Sequence, residues 1–498
     1  MITPVLCAAA GAAAGYYGRA FLPPGVLTRC VMGFLVFYPG ITGAARALFV
    51  VSSLKKNSAF ILLLSSAAIG LFAGLAAGKT DPPSPGLPLE KIRAVSGTLM
   101  DDPRSYSTKY KEQAIGTIGT LALQRAKGLG KVEVSARGDV FVFFPEGAVP
   151  RLKEFGRGCE VYIEGVFLEG SRDEELAFSA KSTHIIKPAP RIEQFRTGLR
   201  VSLTERFSKF TWGGLGIALL FGMKDNLDST LSKRYQEAGC SHVLALSGMH
   251  LAIVSATLAL FLKKPLGLRA AAVVGAVFII AYIYLVGNLP SLNRAALMYL
   301  LGTVAVLFNL PKDSLSILAM TFVLQIALQR REGMSVSFIL SYLALFGILV
   351  LSKPIYGFFR GWTPDPLGQS LAASLAAFLW TAAASAAFFS VLYPIGVIAG
   401  LVVVPLTTLF MVGAMLAMAV AFFPFPLLPP ISMLLSFLYT VISRIVTWAS
   451  LPPSLPASNT TLVLTATLTL TGLILFVDRL SRRRLGKRIR TQEGTVSY

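Results

Sequence analysis

Charge is scarce in this chain. Of 498 residues only 14% are Asp, Glu, Lys or Arg, while 54% are hydrophobic. A soluble protein of this length carries nearer a quarter charged residues, so a water-facing surface over most of the molecule is excluded. Histidine is scarcer still, with only His184, His242 and His250. No H-x-H-x-D-H or H-E-x-x-H metal motif exists. The four cysteines, Cys7, Cys30, Cys159 and Cys240, lie far apart. Their spacing fits neither a paired-cysteine zinc site nor a dense disulfide framework, and leaves only a Cys7–Cys30 bridge open. A nucleotide loop is missing too. The nearest run, Gly74-Leu-Ala-Ala-Gly78-Lys79-Thr80, is one residue short between its glycines and ends an apolar span. No metal, cofactor, motor or catalytic group is expected.

Basic charge is in excess, and unevenly so. The chain has 46 Lys and Arg against 25 Asp and Glu, a formal net charge of +21. Residues 90–190 hold 15 basic and 14 acidic side chains and are nearly neutral. The excess belongs to the apolar remainder. Two readings are open: the basic cytoplasmic loops of any inner-membrane protein, or a polyanionic partner such as DNA.

A bilayer core of about 30 Å takes roughly 20 apolar residues. Three spans are expected near 2–18, 31–51 and 59–78, within an N-terminal anchor of residues 1–78. The first is read as retained, because Met1-Ile-Thr-Pro has no basic n-region. Residues 79–90 form a proline-rich linker. Residues 91–188 read as β, in runs such as Ile92–Met100, Lys131–Phe144, Cys159–Leu168 and Leu176–Ile186. Five or six strands in about a hundred residues suit a small barrel of the OB type or a sandwich. In residues 189–225, Phe195, Leu199, Leu203, Phe207 and Phe210 recur at helical spacing, with Arg196, Arg200, Arg206 and Lys209 at other positions. That pattern predicts a helix lying in the headgroup layer. Nine more spans fall between 242 and 478, within a membrane domain of residues 226–478, and 479–498 form a basic tail. The fold class is therefore an α-helical polytopic membrane protein of about twelve spans with an inserted small all-β domain. Lys263, Lys264 and Arg269, Lys353 and Arg360, and seven basic residues from Arg479 to Arg490 all fall inside if both termini are cytoplasmic. The β domain then faces outward. Arg19, Arg29, Arg330 and Arg331 run against this rule.

Polar groups inside apolar spans mark candidate function. In AGCSHVLALSGMHLAIV (238–254), read as one helix, Ser247 and His250 are neighbours and His242 lies roughly 80° from His250. Buried polar packing, a Ser/His nucleophile pair and a Cys240/His242/His250 metal site are the alternatives. In GNLPSLNRAALMYLLG (287–302), Ser291, Arg294 and Met298 share a helix face. Arg294 either snorkels to the outer headgroups or lines an aqueous path where it meets phosphate. In SVSFILSYLALFGILVL (335–351), Ser337 and Ser341 stand at i, i+4, a spacing that suits close helix packing.

These three segments, in this order, resemble the ComEC family of competence proteins. AGCSHVLALSGMHLAIV is similar to its Ser-His followed by Ala-x-Ser-Gly-x-His. The preceding LLFGMKDNLDSTLSKRYQEAG has the family's Gly222 and Asp225. GNLPSLNRAALM is similar to Gly-x-x-x-Ser-x-x-Arg-Ala, and SFILSYLALFGIL to Leu-Ser-x-x-Ala. The resemblance covers roughly 90–480 and implies an inner-membrane channel that passes single-stranded DNA into the cytoplasm during transformation. It implies a DNA receptor outside, and a helicase or strand-binding proteins inside. His242, Ser247, His250, Ser291, Arg294 and Ser341 are then candidates for the DNA path. Two departures stand out. Only twenty residues follow Asp478, where some members carry a metallo-β-lactamase-like domain, and Gly400 stands where the resemblance leads one to expect Asn. A transporter or assembly protein with another cargo, and a membrane hydrolase using Ser247 and His250, remain the alternatives.

Overall fold

The computed structural model describes residues 86–106, 116–128, 133–145, 155–168, 176–224, 226–287, 289–310, 313–329, 335–421 and 428–493. The expected anchor spans and the Cys7–Cys30 bridge lie outside these residues.

Among the described residues seven strands make the β domain: β1 (Ile92–Leu99), β2 (Arg104–Tyr106), β3 (Gly116–Gly128), β4 (Glu133–Ser135), β5 (Asp139–Pro145), β6 (Glu160–Phe167) and β7 (Ala177–Lys187). β1 pairs with both β3 and β6, β3 with β5, β5 with β7 in parallel, and β7 with β6. The path closes on itself, which makes the OB-type barrel and not the sandwich. Alternation along the strands buries Val95, Leu121, Val140, Val142, Phe144, Val161, Ile163 and Phe178 in one core. Closure requires sharp bends, and two glycines supply them at shifts of register. A Cβ on Gly97 would lie 2.1 Å from the Ala122 carbonyl oxygen, and one on Gly165 only 1.9 Å from that of Ser179. The longest strand, β3, is among none of the runs named from sequence: its GTIGTLALQRAKG is rich in Gly and Ala and poor in β-branched residues. The run Lys131–Phe144 is two strands, divided where Gly138 takes φ +103°.

α1 (Arg191–Phe207) follows the barrel, and α2 (Gly213–Phe221), α3 (Ser229–Glu237) and α4 (Ser241–Leu244) follow α1. The apolar stripe expected of α1 is buried only in part. Leu203 and Phe207 are buried, but Phe195 is 73% exposed and Arg196 only 3% exposed. α1 therefore turns an arginine inward, for a reason given below. Leu215, Ile217 and Leu219 of α2 lie in the largest core with Val403 and Phe410.

The remaining helices are α5 (Gly248–Val286), α6 (Pro290–Leu307), α7 (Ser314–Leu328), α8 (Val336–Phe359), α9 (Asp365–Phe389), α10 (Ile395–Val420), α11 (Leu428–Ala449) and α12 (Thr460–Glu493). Asp313 and Ser335 cap the starts of α7 and α8 by accepting from Ser316 and Phe338 amides. Among the described residues seven helices are long and apolar enough to cross a membrane, and α7 is a shorter apolar one. α5, at 39 residues, breaks at Gly267, whose φ of +74° and ψ of 171° are not helical. Val254 and Ile279 share one core cluster, yet on a straight helix they would stand about 37 Å apart. α5 is therefore a hairpin of two arms, matching two of the expected spans. Its tip carries Lys263, Lys264 and Arg269, all exposed. Outward faces of α5 and α11 expose Val277, Ile280, Leu434 and Phe437, as a lipid-facing surface should.

Candidate functional site

The segment read as one helix over 238–254 is not continuous. α4 ends at Leu244, and Ala245, Leu246 and Ser247 bridge to α5, with Ser247 extended at φ −127° and ψ 174°. Ser247 is thus the N-cap of α5. Its amide donates to Nδ1 of His250 at 3.2 Å, and its Oγ lies 3.0 Å from the same nitrogen. An Nδ1 that accepts a backbone N–H holds no proton, so the neutral ring carries its proton on Nε2. Among the described residues that Nε2 is buried and makes no well-formed hydrogen bond. His250 itself is fully buried.

α6 docks on this start. Ser291 donates to the Leu246 carbonyl at 2.7 Å. Arg294, 7% exposed, lies along the first turn of α5. A Cβ on Gly248 would fall 3.0 Å from Arg294 Nη2 and 3.3 Å from the Ala295 methyl, so glycine permits this approach. Arg294 Nη1 donates to the Ser341 carbonyl on α8. Its Cζ sits 5.7 Å from the centre of the Tyr342 ring. Tyr342 donates to Gln325 Oε1 at 2.9 Å, and Gln325 Nε2 donates to the Pro290 carbonyl at 3.0 Å. The network thus runs from α5 through α6 and α8 to α7.

Ser247, Ser291, Arg294 and Ser341 are brought together, with His250 one turn away. His242, exposed on α4, joins no hydrogen bond with the other five. Gln325 and Tyr342 are members that sequence reasoning passed over. The signal was there for Gln325, the one amide in a largely apolar α7.

The electrostatics are one-sided. The positive end of the α5 backbone dipole meets a guanidinium, and among the described residues no carboxylate pairs with Arg294. Among the described residues Arg294 Nε is a further buried donor without an acceptor. Each such orphan costs about 1–3 kcal/mol, and more for charged groups. The cluster offers donors and positive charge, which suits an oxyanion and not a cation. A metal is poorly served. Among the described residues no three His, Cys, Asp or Glu gather. In a hydrolytic triad the second ring nitrogen of histidine meets an acid; here Nε2 meets none among the described residues.

Residues 219–482 match the model of a family described as "Competence protein". That stretch contains all three signature segments and excludes the barrel. A protein of Aquifex aeolicus (strain VF5), described as uncharacterized, is 29% identical over 238 residues, which are 48% of this chain and 55% of that relative. The match thus spans about half the length of each.

Proposed function

Because this chain belongs to the competence-protein family, we propose that it conducts single-stranded DNA across the cytoplasmic membrane. One observation carries this reading: the three signature segments converge on a buried guanidinium that no described carboxylate neutralises. A phosphodiester backbone supplies both the negative charge and the acceptors that the cluster lacks. In the arrangement seen, Gly248, Ala295 and Tyr342 close over Arg294. A passing phosphate reaches it only when α8 releases its Ser341 contact. No motor sequence is present, so strand-binding proteins or a helicase on the cytoplasmic side supply direction, and a receptor outside presents the DNA.

The geometry of α5 supports an outward barrel. Arg269 at the tip and Leu285 at the end of the second arm lie about 24 Å apart along the helix. Arg196, which grips the barrel, bonds the Leu285 carbonyl, so barrel and basic tip sit at opposite ends. With the tip cytoplasmic, the barrel is outside. Single cysteines at exposed Lys181 and Lys264 test this in intact cells: an impermeant thiol reagent should label Lys181→Cys and spare Lys264→Cys. The reverse pattern would invert the topology.

Conduction is tested with the full chain in vesicles loaded with a single-strand-binding protein. End-labelled single-stranded DNA added outside should become resistant to external nuclease, and duplex DNA should not. Uptake no greater than in protein-free vesicles would remove DNA as the cargo and favour another solute.

A further inference from the structure

Four charged side chains from two domains meet where the barrel rests on the membrane helices. Asp102 lies in the connection between β1 and β2, and Glu193, Arg196 and Arg200 project from α1. Arg196 Nη2 and Arg200 Nη1 both reach Asp102 Oδ2, at 2.7 and 2.8 Å, and Arg196 Nη1 reaches Glu193 Oε2 at 2.8 Å. The other carboxylate oxygen of Asp102 accepts from the Arg157 amide at 3.3 Å. The same guanidiniums also hold the end of α5. Arg196 Nε donates to the Leu285 carbonyl at 3.2 Å and Arg200 Nη1 to that of Val286 at 3.3 Å. Those carbonyls belong to the last turn, which has no partner further along its own helix and carries the negative end of the dipole. Arg196 also lies over the Tyr284 ring, 5.7 Å from its centre.

The next residue, Gly287, leaves the helix at φ +109°, and a Cβ there would fall 3.2 Å from Arg196 Nη2. Three residues on, Pro290 opens α6, whose Ser291 and Arg294 form the site described above. Leu285, Val286 and Gly287 are therefore seated on arginines that are themselves seated on the barrel.

We propose that Asp102, Arg196 and Arg200 are positioning residues that couple the barrel to the start of α6, so that displacing the β1–β2 connection shifts Arg294. In OB-type barrels this first connection borders the oligonucleotide-binding face, which makes a nucleic-acid strand held on the barrel the natural trigger. That last step rests on the function proposed above; the coupling itself does not. Among the described residues the Asp102 carboxylate bonds Arg196, Arg200 and the Arg157 amide, and Asp102→Asn keeps its volume.

Hydrogen exchange on the full chain in nanodiscs tests the coupling. Losing a charge-assisted bond of this kind should raise amide exchange across 286–292 by about tenfold in Asp102→Asn and in Arg200→Gln. Exchange in β5, in β6 and at the arms of α5 near the tip should stay as in the wild type. Wild-type exchange across 286–292 in both variants would overturn the coupling. A general rise that includes β5 and β6 would also overturn it, by showing that the cluster maintains the barrel. A vesicle assay without DNA uptake, alongside the local rise in exchange, would remove the cargo and keep the coupling.

Discussion

Replacing Arg294 with alanine should lower DNA entry by about one to two orders of magnitude, the worth of a charge-assisted contact to phosphate. Membrane abundance and DNA binding at the cell surface should stay unchanged. The expectation follows from where the guanidinium sits. It is buried, beside the positive end of α5, and held by one carbonyl and one aromatic face with no carboxylate partner in the described structure. A cation in that position costs stability, and replacing a buried charge by an apolar side chain of similar volume is often neutral or stabilising. Arg294→Met, which fills the space, should therefore unfold at the wild-type temperature or above it and still fail to conduct. Arg294→Lys should keep part of the activity, since charge survives without the planar fork. His250→Ala should also impair entry, because it removes the acceptor for the Ser247 amide at the α5 start. Ser337→Ala should be nearly silent. Normal entry in both Arg294→Ala and His250→Ala, at equal abundance, would refute the conduit. Loss of the Arg294→Met protein from the membrane would assign Arg294 to helix packing instead.

Alanine at Gly396 should remove most of the protein from the membrane, with a cost of about 3 kcal/mol or more, in the range of severe backbone overpacking. A Cβ there would stand 2.7 Å from the Gly239 carbonyl oxygen and 3.0 Å from its Cα, both backbone atoms that cannot rotate away. Gly239→Ala should be as damaging. Its Cβ would lie 2.8 Å from Gly396 Cα, and its φ of +68° is one that L side chains rarely adopt. This contact anchors the turn before α4 to the start of α10, and so places the whole Cys240–Ser247 segment. Gly400, one turn further along α10, is the control. A Cβ there would meet nothing within 4 Å, so Gly400→Ala should express as the wild type does, and Gly400→Asn should be tolerated. Equal membrane levels of Gly396→Ala and Gly400→Ala, measured by quantitative blotting, would show that the close approach carries no weight.

Much of this architecture was readable from residue order. Apolar runs located the helices from α5 to α12, all but α7 of bilayer length, because lipid leaves no other way to satisfy a spanning backbone. Alternating Val140 and Val142, and Val161 and Ile163, marked β5 and β6. The three signature segments named every candidate residue around Arg294 except Gln325 and Tyr342. Local signals failed where partners distant in the chain set the outcome. β3 carries too little β-branched character to announce itself, and exists because β1 and β5 pair with both its edges. Arg196 looked like the polar side of a surface helix, yet Asp102, 94 residues away, draws it inward.

The same division runs through the site. Composition and periodicity were enough to require a membrane domain, its basic tip at Lys263 and Lys264, and polar groups placed where lipid makes them costly. Periodicity also suggested an unbroken helix through Ser247, since a helical pattern does not record where the chain lets go. Folding stopped that helix at Leu244, seated Gly239 on Gly396, and turned Ser247 into the cap of α5. Only then do Leu246 and Gly248 present a carbonyl and a bare Cα to Ser291 and Arg294. Contacts of that kind depend on backbone atoms, which every residue shares, and on the room a missing side chain leaves. Neither has a signature in the order of residue types, so the meeting of α5, α6 and α8 at one guanidinium belongs to the packed chain alone.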